Sequence, residues 1–336
     1  IRDRLRSRGR GDVYKRQGRG DTIILESCEY CNSFLNFFPT VAVILNVHAD
    51  HLDFFKDLAD IEHSFHDFAA LVPERGFIIA NADDEGAREA VKGLTHPVFT
   101  FSVKDRSADC YADNVSFFDG YGDFDVVING LTYAHVSLHV PGAHNISNAL
   151  AAASAAYVLG LPGEAVTAGL ASFTGAGRRF EHKGTFRGAE VYDDYAHHPT
   201  EIAALLDAAR RRSPESTIRV IFQPHLFSRT KFFAHQFAKS LAKADDVIIT
   251  GIFPAREKQA DFPDISPSTI VDAAAGLKDA SAGTWIQPVE DMCLAAKMMA
   301  MRAHHGDVIF TVGAGDITDM DQVLLTALEA HRESCE

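Results

Sequence analysis

The sequence predicts an α/β protein of two domains, each organised around a mainly parallel sheet. The 336 residues exceed the length of one average domain and suit two. Apolar runs rich in β-branched residues, such as residues 41–46, are typical of buried parallel strands. Segments with helical spacing follow most of these runs, and strand–helix alternation at short intervals favours a parallel sheet.

Composition limits the classes of function. The chain holds 46 acidic and 32 basic residues, a net charge of −14, which argues against broad nucleic-acid binding. No apolar run approaches the roughly 20 residues of a membrane helix, and no secretory signal is visible. Five cysteines do not resemble a disulfide framework. We therefore expect a cytoplasmic protein without nucleic-acid or membrane partners.

The first 17 residues differ from the rest of the chain, with seven basic and two acidic side chains. A basic arm for nucleic acid and a transit peptide are two interpretations. We favour a non-native, disordered lead-in, because this segment has almost nothing to bury and the chain begins with Ile rather than Met. The predicted divisions are residues 1–17, a first domain at 18–176 and a second domain at 177–336.

In the first domain, two predicted strands end on possible metal ligands. Residues 21–26 form the first, ending at Glu26, and residues 41–46 lead directly towards His51. If the strands are neighbours, these side chains could share a divalent cation. One carboxylate and one imidazole, with water or phosphate oxygens, suit Mg²⁺ or Mn²⁺. Zinc stays open because His48 could add a ligand, and a purely capping role also stays open.

Further elements of this domain follow from periodicity. We predict helices at 56–72, 84–91, 149–159 and 162–173, a strand at 76–81, and antiparallel hairpins within 98–140 with Asn129-Gly130 as a turn. Asn145 and Asn148 lie three residues apart at the start of the long alanine-rich helix. Their amides could hydrogen-bond a ligand or a base edge, or they could cap the helix.

The second domain repeats strand then helix, which predicts a doubly wound sheet. Predicted strands are 189–193, 217–222, 246–250, 284–289 and 307–312, and predicted helices are 201–212, 231–243, 266–275, 290–304 and 319–329. In such sheets, ligands bind at the carboxyl ends of the strands.

The stretch from Tyr192 to His198 is the strongest candidate site. It places two carboxylates (Asp193, Asp194), two phenols and two imidazoles between a predicted strand and a helix whose first position is a proline. Capping explains single Asp or His residues there, but six such side chains exceed what capping needs. The paired arginines Arg178 and Arg179 follow glycines and favour phosphate binding. Nowhere does the chain contain the G-x-x-x-x-G-K-[ST] phosphate loop.

From about residue 18 to its end, the chain resembles the Mur ligases. Six motifs carry the resemblance, in order: Glu26-Ser-Cys-Glu-Tyr-Cys-Asn-Ser-Phe34, Asn46-Val-His-Ala-Asp-His-Leu-Asp53, Pro141-Gly-Ala-His-Asn-Ile-Ser-Asn148, Gly177-Arg-Arg-Phe-Glu181, Asp193-Asp-Tyr-Ala-His-His-Pro-Thr-Glu201 and Gln223-Pro-His225 with Arg229-Thr230. Each is short, but six in order make the match specific. Leu226 and His48 depart from residues common in the family, an arginine and an acidic residue respectively.

The resemblance implies a fold and a set of site residues. It implies the remainder of a central parallel-sheet ATPase domain, followed by a Rossmann-like doubly wound domain, with an earlier segment carrying the phosphate loop missing. It implies roles for four groups of residues: Glu26 and His51 at Mg²⁺; Asn145 and Asn148 near adenine; Arg179 near the ATP phosphates and Asp193 or Asp194 at the ribose; and Tyr195, His197, His198 and Arg229 facing the acyl and amino-acid substrates.

The resemblance also implies an activity. The Asp193–Pro199 motif is similar to that of the family member that joins L-alanine to UDP-N-acetylmuramate with ATP, through an acyl phosphate, in peptidoglycan precursor synthesis. We expect the chain as given to be inactive without the earlier segment. Two alternatives stay open, a ligase that attaches recycled murein peptides to UDP-N-acetylmuramate and a metal-dependent hydrolase.

Overall fold

A computed structural model describes residues 20–52, 54–186, 188–278 and 284–333. The chain folds into two compact units, an N-terminal unit at Gln17–Thr174 and a C-terminal unit at Gly175–Glu336. The lead-in predicted at residues 1–17 lies outside the described residues. Within the described part, no helix combines the length and apolar character that crossing a bilayer requires.

The N-terminal unit is a six-stranded sheet with helices on both faces. Its strands are β1 (Val41–Ile44), β2 (Phe77–Asn81), β3 (Val98–Ser102), β4 (Cys110–Phe118), β5 (Tyr121–Ile128) and β6 (Leu131–Pro141). Its helices are α1 (Leu58–Ala70), α2 (Glu85–Val91), α3 (His144–Val158) and α4 (Gly163–Ala171), with a short 3₁₀ segment at Tyr30–Asn36. The strands lie in sequence order, so each pairs with its neighbour along the chain.

Strand direction in this sheet agrees with only part of the sequence prediction. β1 to β4 pair in parallel, and β4 to β6 pair antiparallel. The antiparallel hairpins predicted from residue 98 therefore begin only at β4. The turn predicted at Asn129-Gly130 is confirmed, with φ of 50° and 77° joining β5 to β6.

The strand predicted at residues 21–26 is wrong. Residues 22–29 have no regular structure, and Ile23, Ile24 and Leu25 are 81%, 91% and 58% exposed. The local sequence is apolar enough for a strand, but these side chains find no core to pack against within the described residues. Glu26 therefore does not end a strand of this sheet.

The C-terminal unit is a second six-stranded sheet. Its strands are β7 (Glu181–Phe186), β8 (Ala189–Asp194), β9 (Ile218–Phe222), β10 (Asp246–Ile249), β11 (Ile286–Pro288) and β12 (Val308–Val312). Its α-helices are α5 (Pro199–Arg212), α6 (Phe227–Leu241), α7 (Ser268–Ala273), α8 (Met292–Arg302) and α9 (Met320–Glu333). The strand order is β11-β10-β9-β12-β8-β7.

The doubly wound architecture predicted for this unit is confirmed. β11, β10, β9, β12 and β8 are parallel, and alternate residues along them face two different cores. One core joins Val220 and Phe222 to α5, α6 and α7, and the other joins Ile221 to α8 and α9. After the neighbouring strands β9 and β12, the chain therefore runs to opposite faces of the sheet, which is the arrangement beside which ligands bind in open α/β sheets. The antiparallel edge strand β7 was not predicted.

Candidate active site

The turn between β8 and α5 holds the predicted cluster, and part of that cluster caps the helix. His198 is the N-cap of α5, Pro199 is its first residue, and Glu201 completes a capping box. The Glu201 carboxylate accepts hydrogen bonds from the backbone N–H groups of His197, at 2.9 Å, and His198, at 3.1 Å. Burial acts to raise the pKa of Glu201, but His197, the backbone N–H groups and Arg179 outweigh it and lower that pKa. His198 and Glu201, which are close in the sequence, therefore hold this turn by capping α5.

An aromatic row extends from this turn to the loops after β9 and β10. The His197 ring lies edge-on to Tyr195, with centroids 5.3 Å apart, and 5.9 Å from His225. The His225 ring stacks on Phe253 at 5.5 Å. The Arg229 guanidinium lies 3.5 Å from Nδ1 of His225 and is 6% exposed. Imidazoles, a phenol and a guanidinium thus converge at the carboxyl edge of the sheet, a combination suited to binding a carboxylate and moving protons.

The two aspartates that end β8 have different surroundings. Asp193 is fully buried, pairs with Arg178 and accepts hydrogen bonds from the hydroxyls of Thr311 and Thr318. Asp194 is 6% exposed and accepts from the backbone N–H groups of Phe180 and Ala196. Burial raises the pKa of Asp194 to about 6, although these N–H groups act to lower it. Both carboxylates therefore serve the local fold, and Asp193 has more of its hydrogen-bonding capacity in use.

The two arginines before β7 also differ. Arg178 is mostly buried, at 13% side-chain exposure, and engaged with Asp193, whereas the Arg179 side chain is 49% exposed. Arg179 lies 3.7 Å from Glu201, and its guanidinium sits 5.4 Å from the centre of the Tyr195 ring. Of the pair, Arg179 is the one with charge accessible to a ligand.

The loops after β9 and β12 are joined by Gln223. Its amide nitrogen donates to Asp316 at 2.7 Å, and its oxygen accepts from the backbone of Ile317 at 3.1 Å. Gly315 passes so close that a Cβ there would lie 2.3 Å from the Gln223 oxygen and 2.8 Å from the Phe253 ring. An open cavity of about 450 Å³ adjoins this contact, and Gln223, Phe253, Met292 and Asp316 are among its lining residues.

In the N-terminal unit, the two predicted adenine-binding asparagines hydrogen-bond each other. The Asn148 amide donates to the Asn145 side-chain oxygen at 3.0 Å, and Asn145 donates to the backbone oxygen of Pro141 at 2.8 Å. Helix α3 begins at His144, five residues earlier than predicted, so both asparagines lie within its first two turns. The expected proximity of the two amides is confirmed, and their ligand remains a prediction.

The predicted metal ligands are not brought together. His51 lies 3.4 Å from Glu29 and 3.9 Å from Asp50, with a φ of 53°, whereas no described contact joins it to Glu26. Glu26 is exposed in the irregular segment before the 3₁₀ turn. Among the residues that the structure describes, no group of three His, Cys, Asp or Glu side chains is arranged to hold a metal ion. The Glu26–His51 pair therefore does not form a ready Mg²⁺ site as these residues stand.

Three residues of the sequence motifs make contacts at this edge that the sequence did not predict. Arg178, Gln223 and His225 gain their importance from partners far along the chain, such as Gly313 for Arg178, 135 residues away. Their occurrence beside predicted strand ends was the available indication, because loops after parallel strands meet at one edge.

Two protein-family models match the chain, one over most of each unit. Residues 16–156 match the Mur ligase middle domain, and residues 178–315 match the Mur ligase glutamate ligase domain. The chain belongs to the Mur ligase family. The resemblance drawn from the six motifs is thereby confirmed.

Several Mur ligases are similar over almost the whole chain. The UDP-N-acetylmuramate–L-alanine ligase of Bifidobacterium longum is 59% identical over 340 residues, covering 95% of this chain and 66% of that protein. The ligase of the same name from Caldicellulosiruptor saccharolyticus is 41% identical, covering 92% and 66%. This chain thus spans about two thirds of the length of these curated relatives.

Solved Mur ligases share the fold. The crystal structure of UDP-N-acetylmuramate–alanine ligase from Thermotoga maritima matches with a TM-score of 0.69 and 28% identity, covering 90% of this chain and 62% of that one. A murein peptide ligase from Psychrobacter arcticus matches with a TM-score of 0.64, also at 28% identity, covering 88% and 59%.

Proposed function

We propose that the chain is part of an ATP-dependent ligase that joins L-alanine to UDP-N-acetylmuramate in peptidoglycan precursor synthesis. The observation that carries this proposal is the 59% identity, over 95% of the chain, to a protein of that activity by name. The converging imidazoles, phenol and arginine at the carboxyl edge of β8 and β9 support it. We propose a cytoplasmic location, as the family resemblance implies.

The reaction needs an activated carboxylate. A carboxylate oxygen of UDP-N-acetylmuramate attacks the γ-phosphorus of ATP, which forms an acyl phosphate and releases ADP. The amine of L-alanine then attacks the acyl carbon, and the tetrahedral oxyanion collapses with loss of phosphate and a proton. Both steps develop negative charge that guanidinium groups can stabilise.

The proposed substrate contacts are the side chains that converge at this edge of the sheet. Arg229 would bind a substrate carboxylate bidentately, since its planar fork matches that geometry. Tyr195, His197 and His198 would face the acyl and amino-acid substrates, and an imidazole there can accept the proton that the attacking amine loses.

The proposed nucleotide contacts depend on which side chains are exposed or have fewer hydrogen-bond partners. Arg179, half exposed, would face the ATP phosphates, because Arg178 is already engaged. Asp194 is better suited than Asp193 to a ribose hydroxyl, since among the described residues its oxygens accept from two backbone N–H groups and carboxylates can accept more. The amides of Asn145 and Asn148 would meet the adenine edge.

A divalent cation, expected to be Mg²⁺, would offset the phosphate charges when bound. We keep Glu26 and His51 as its proposed ligands, although Glu29 lies beside His51 in the described arrangement.

Release of ADP tests this proposal. The reaction would contain ATP, Mg²⁺, UDP-N-acetylmuramate and L-alanine, with each substrate omitted in turn, and mass spectrometry would identify the amide. It should be run on this chain and on a fusion that adds the N-terminal segment of the Bifidobacterium longum relative. ADP release that requires all three substrates supports the ligase. Replacing L-alanine by a murein peptide distinguishes the recycling ligase, and absence of turnover in both proteins, with tightly bound zinc, would favour a hydrolase.

A further inference from the structure

Arg178 joins three segments of the C-terminal unit. Its Nε donates to Asp193 at 2.9 Å, and its two terminal nitrogens donate to the carbonyl oxygens of Gly313, at 2.6 Å, and Gly315, at 3.3 Å. Its own carbonyl oxygen accepts the backbone N–H of Tyr195 at 2.7 Å. One side chain thus connects the segment before β7, the end of β8 and the turn after β12.

The same guanidinium lies against a proposed catalytic residue. Its central carbon is 5.0 Å from the centre of the Tyr195 ring, within the range of a cation–π contact. The Tyr195 carbonyl in turn lies 3.0 Å from Nδ1 of His197. A displacement of Arg178 would therefore move both the ring of Tyr195 and the acceptor that orients His197.

The backbone of Arg178 has an unfavourable conformation that a side-chain contact supports. Its φ is +57°, in the left-handed region that residues with a Cβ seldom adopt. Glu181 accepts the Arg178 backbone N–H at 2.7 Å, which supports that conformation. Unfavourable backbone conformations persist where the surroundings over-determine them, and they concentrate at functional sites.

Stability alone is a weak reason for such a pair. Removing two charges from water costs about as much as their attraction returns, so a buried ion pair often contributes little to stability compared with apolar residues. The Arg178 side chain instead fixes the relative orientation of its partners, because its planar guanidinium holds three acceptors in one geometry. Lysine carries the same charge but cannot reproduce that fork.

We infer that Arg178 is a positioning residue, which holds Tyr195 and the Gly313–Gly315 turn in register at the carboxyl edge of the sheet. It contacts no proposed substrate and acts through Tyr195 and His197. The geometric part of this inference is independent of the ligase proposal, whereas its catalytic consequence rests on that proposal.

The matched control is Arg219, a second buried arginine in the same sheet. It pairs with Asp307 at 2.7 Å and with Asp246 at 2.6 Å, at the amino ends of β9, β10 and β12, opposite the candidate site. Arg219→Lys and Arg178→Lys both replace a buried fork by an ammonium. In urea unfolding, both substitutions should lower the free energy of unfolding to a similar extent. Only Arg178→Lys should displace Tyr195.

The test is ¹⁹F NMR of the chain labelled with 3-fluorotyrosine. The chain has eight tyrosines, and Tyr195→Phe assigns the signal of Tyr195. In Arg178→Lys the Tyr195 signal should move most, while Arg219→Lys should leave it in place. Asp193→Asn removes the carboxylate that accepts the hydrogen bond from Nε of Arg178, so it should move the same signal. This variant replaces Arg178→Lys in the test if Arg178→Lys does not fold. An unmoved Tyr195 signal in the folded variants, or an equal movement in Arg219→Lys, would overturn the inference.

Activity supplies the second readout. In whichever form of the protein releases ADP, Arg178→Lys should lower kcat about 10-fold or more with a smaller effect on KM, since a misplaced group costs rate more than binding. Arg219→Lys should stay within about twofold of the parent. Because the ¹⁹F measurement needs no substrate, failure of the ligase proposal and failure of the positioning inference remain distinguishable.

Discussion

Oε2 of Glu201 lies 2.9 Å from the backbone nitrogen of His197 and accepts its hydrogen bond. This contact holds the turn that carries the proposed catalytic histidines and also caps α5. Glu201→Ala should therefore lower the free energy of unfolding of the C-terminal unit by about 1 kcal/mol, the usual cost of a lost cap. Urea unfolding followed by circular dichroism measures it.

Glu201→Gln is the matched control, because a side-chain amide oxygen can still accept these hydrogen bonds. We expect it to retain at least half of the stability that Glu201→Ala loses. Equal losses in the two variants would show that the charge of Glu201, rather than its capping hydrogen bonds, stabilises the turn.

Arg229→Ala should impair use of L-alanine. If this guanidinium binds the amino-acid carboxylate, kcat/KM for L-alanine should fall about 100-fold, equivalent to about 2.7 kcal/mol of transition-state stabilisation. The control is Lys231→Ala, on the same helix but exposed, which should change kcat/KM less than twofold. A similar loss in both variants would point to disruption of α6 instead of a lost contact.

Asp321 should make stability depend on pH. Burial raises its pKa from an ordinary 3.8 to about 6; Asp193 also raises it, and Thr311 and Lys183 act to lower it. A carboxyl whose pKa is raised on folding favours the folded state below pH 3.8, and this contribution is lost as pH rises through about 6.

Asp321→Asn therefore should raise the Tm of the C-terminal unit by about 2–4 °C at pH 7.5, corresponding to about 1 kcal/mol, and by less at pH 4.5. Differential scanning calorimetry at both pH values measures this. Asp307→Asn is the contrasting variant. It removes a charged partner of buried Arg219 and should therefore destabilise the protein at both pH values. A variant at 321 that is less stable than the parent at pH 7.5 contradicts the assignment.

Gly315→Ala should disturb the join between the loops after β9 and β12. The added Cβ would overlap the Gln223 oxygen and the Phe253 ring, and such overpacking costs about 1–3 kcal/mol. Gly177→Ala, whose added Cβ would come no closer than 3.9 Å to the Glu181 carboxylate, is the control and should be tolerated. Thermal unfolding of the two variants compares them, and equal Tm values would refute the close packing at Gly315.

The regular elements could largely be predicted from sequence, because strand and helix periodicities are local. The doubly wound sheet and the turn at Asn129-Gly130 are examples. Residues 21–26 do not form the predicted strand, because an apolar run becomes a strand only where a partner strand is available. β7 was missed because Glu-His-Lys-Gly-Thr-Phe lacks apolar alternation, and its pairing with β8 supplies what its sequence does not.

The candidate site could be located from sequence but its contacts could not. Concentrated titratable residues at a strand end predicted the turn after β8. The partners of those residues come from loops that meet only after folding, as with Arg178 and Gly313. Which of two adjacent arginines is buried, and which of two adjacent aspartates is ion-paired, also depends on such long-range contacts.

Transfer of ¹⁸O tests whether ATP activates the carboxylate of UDP-N-acetylmuramate. UDP-N-acetylmuramate labelled at both carboxylate oxygens would be incubated with ATP, Mg²⁺, L-alanine and the form of the protein that releases ADP. One labelled oxygen should appear in the released phosphate and the other should stay in the amide, because the acyl phosphate passes one carboxylate oxygen to phosphorus. Unlabelled phosphate formed together with ADP would contradict activation of the carboxylate by ATP.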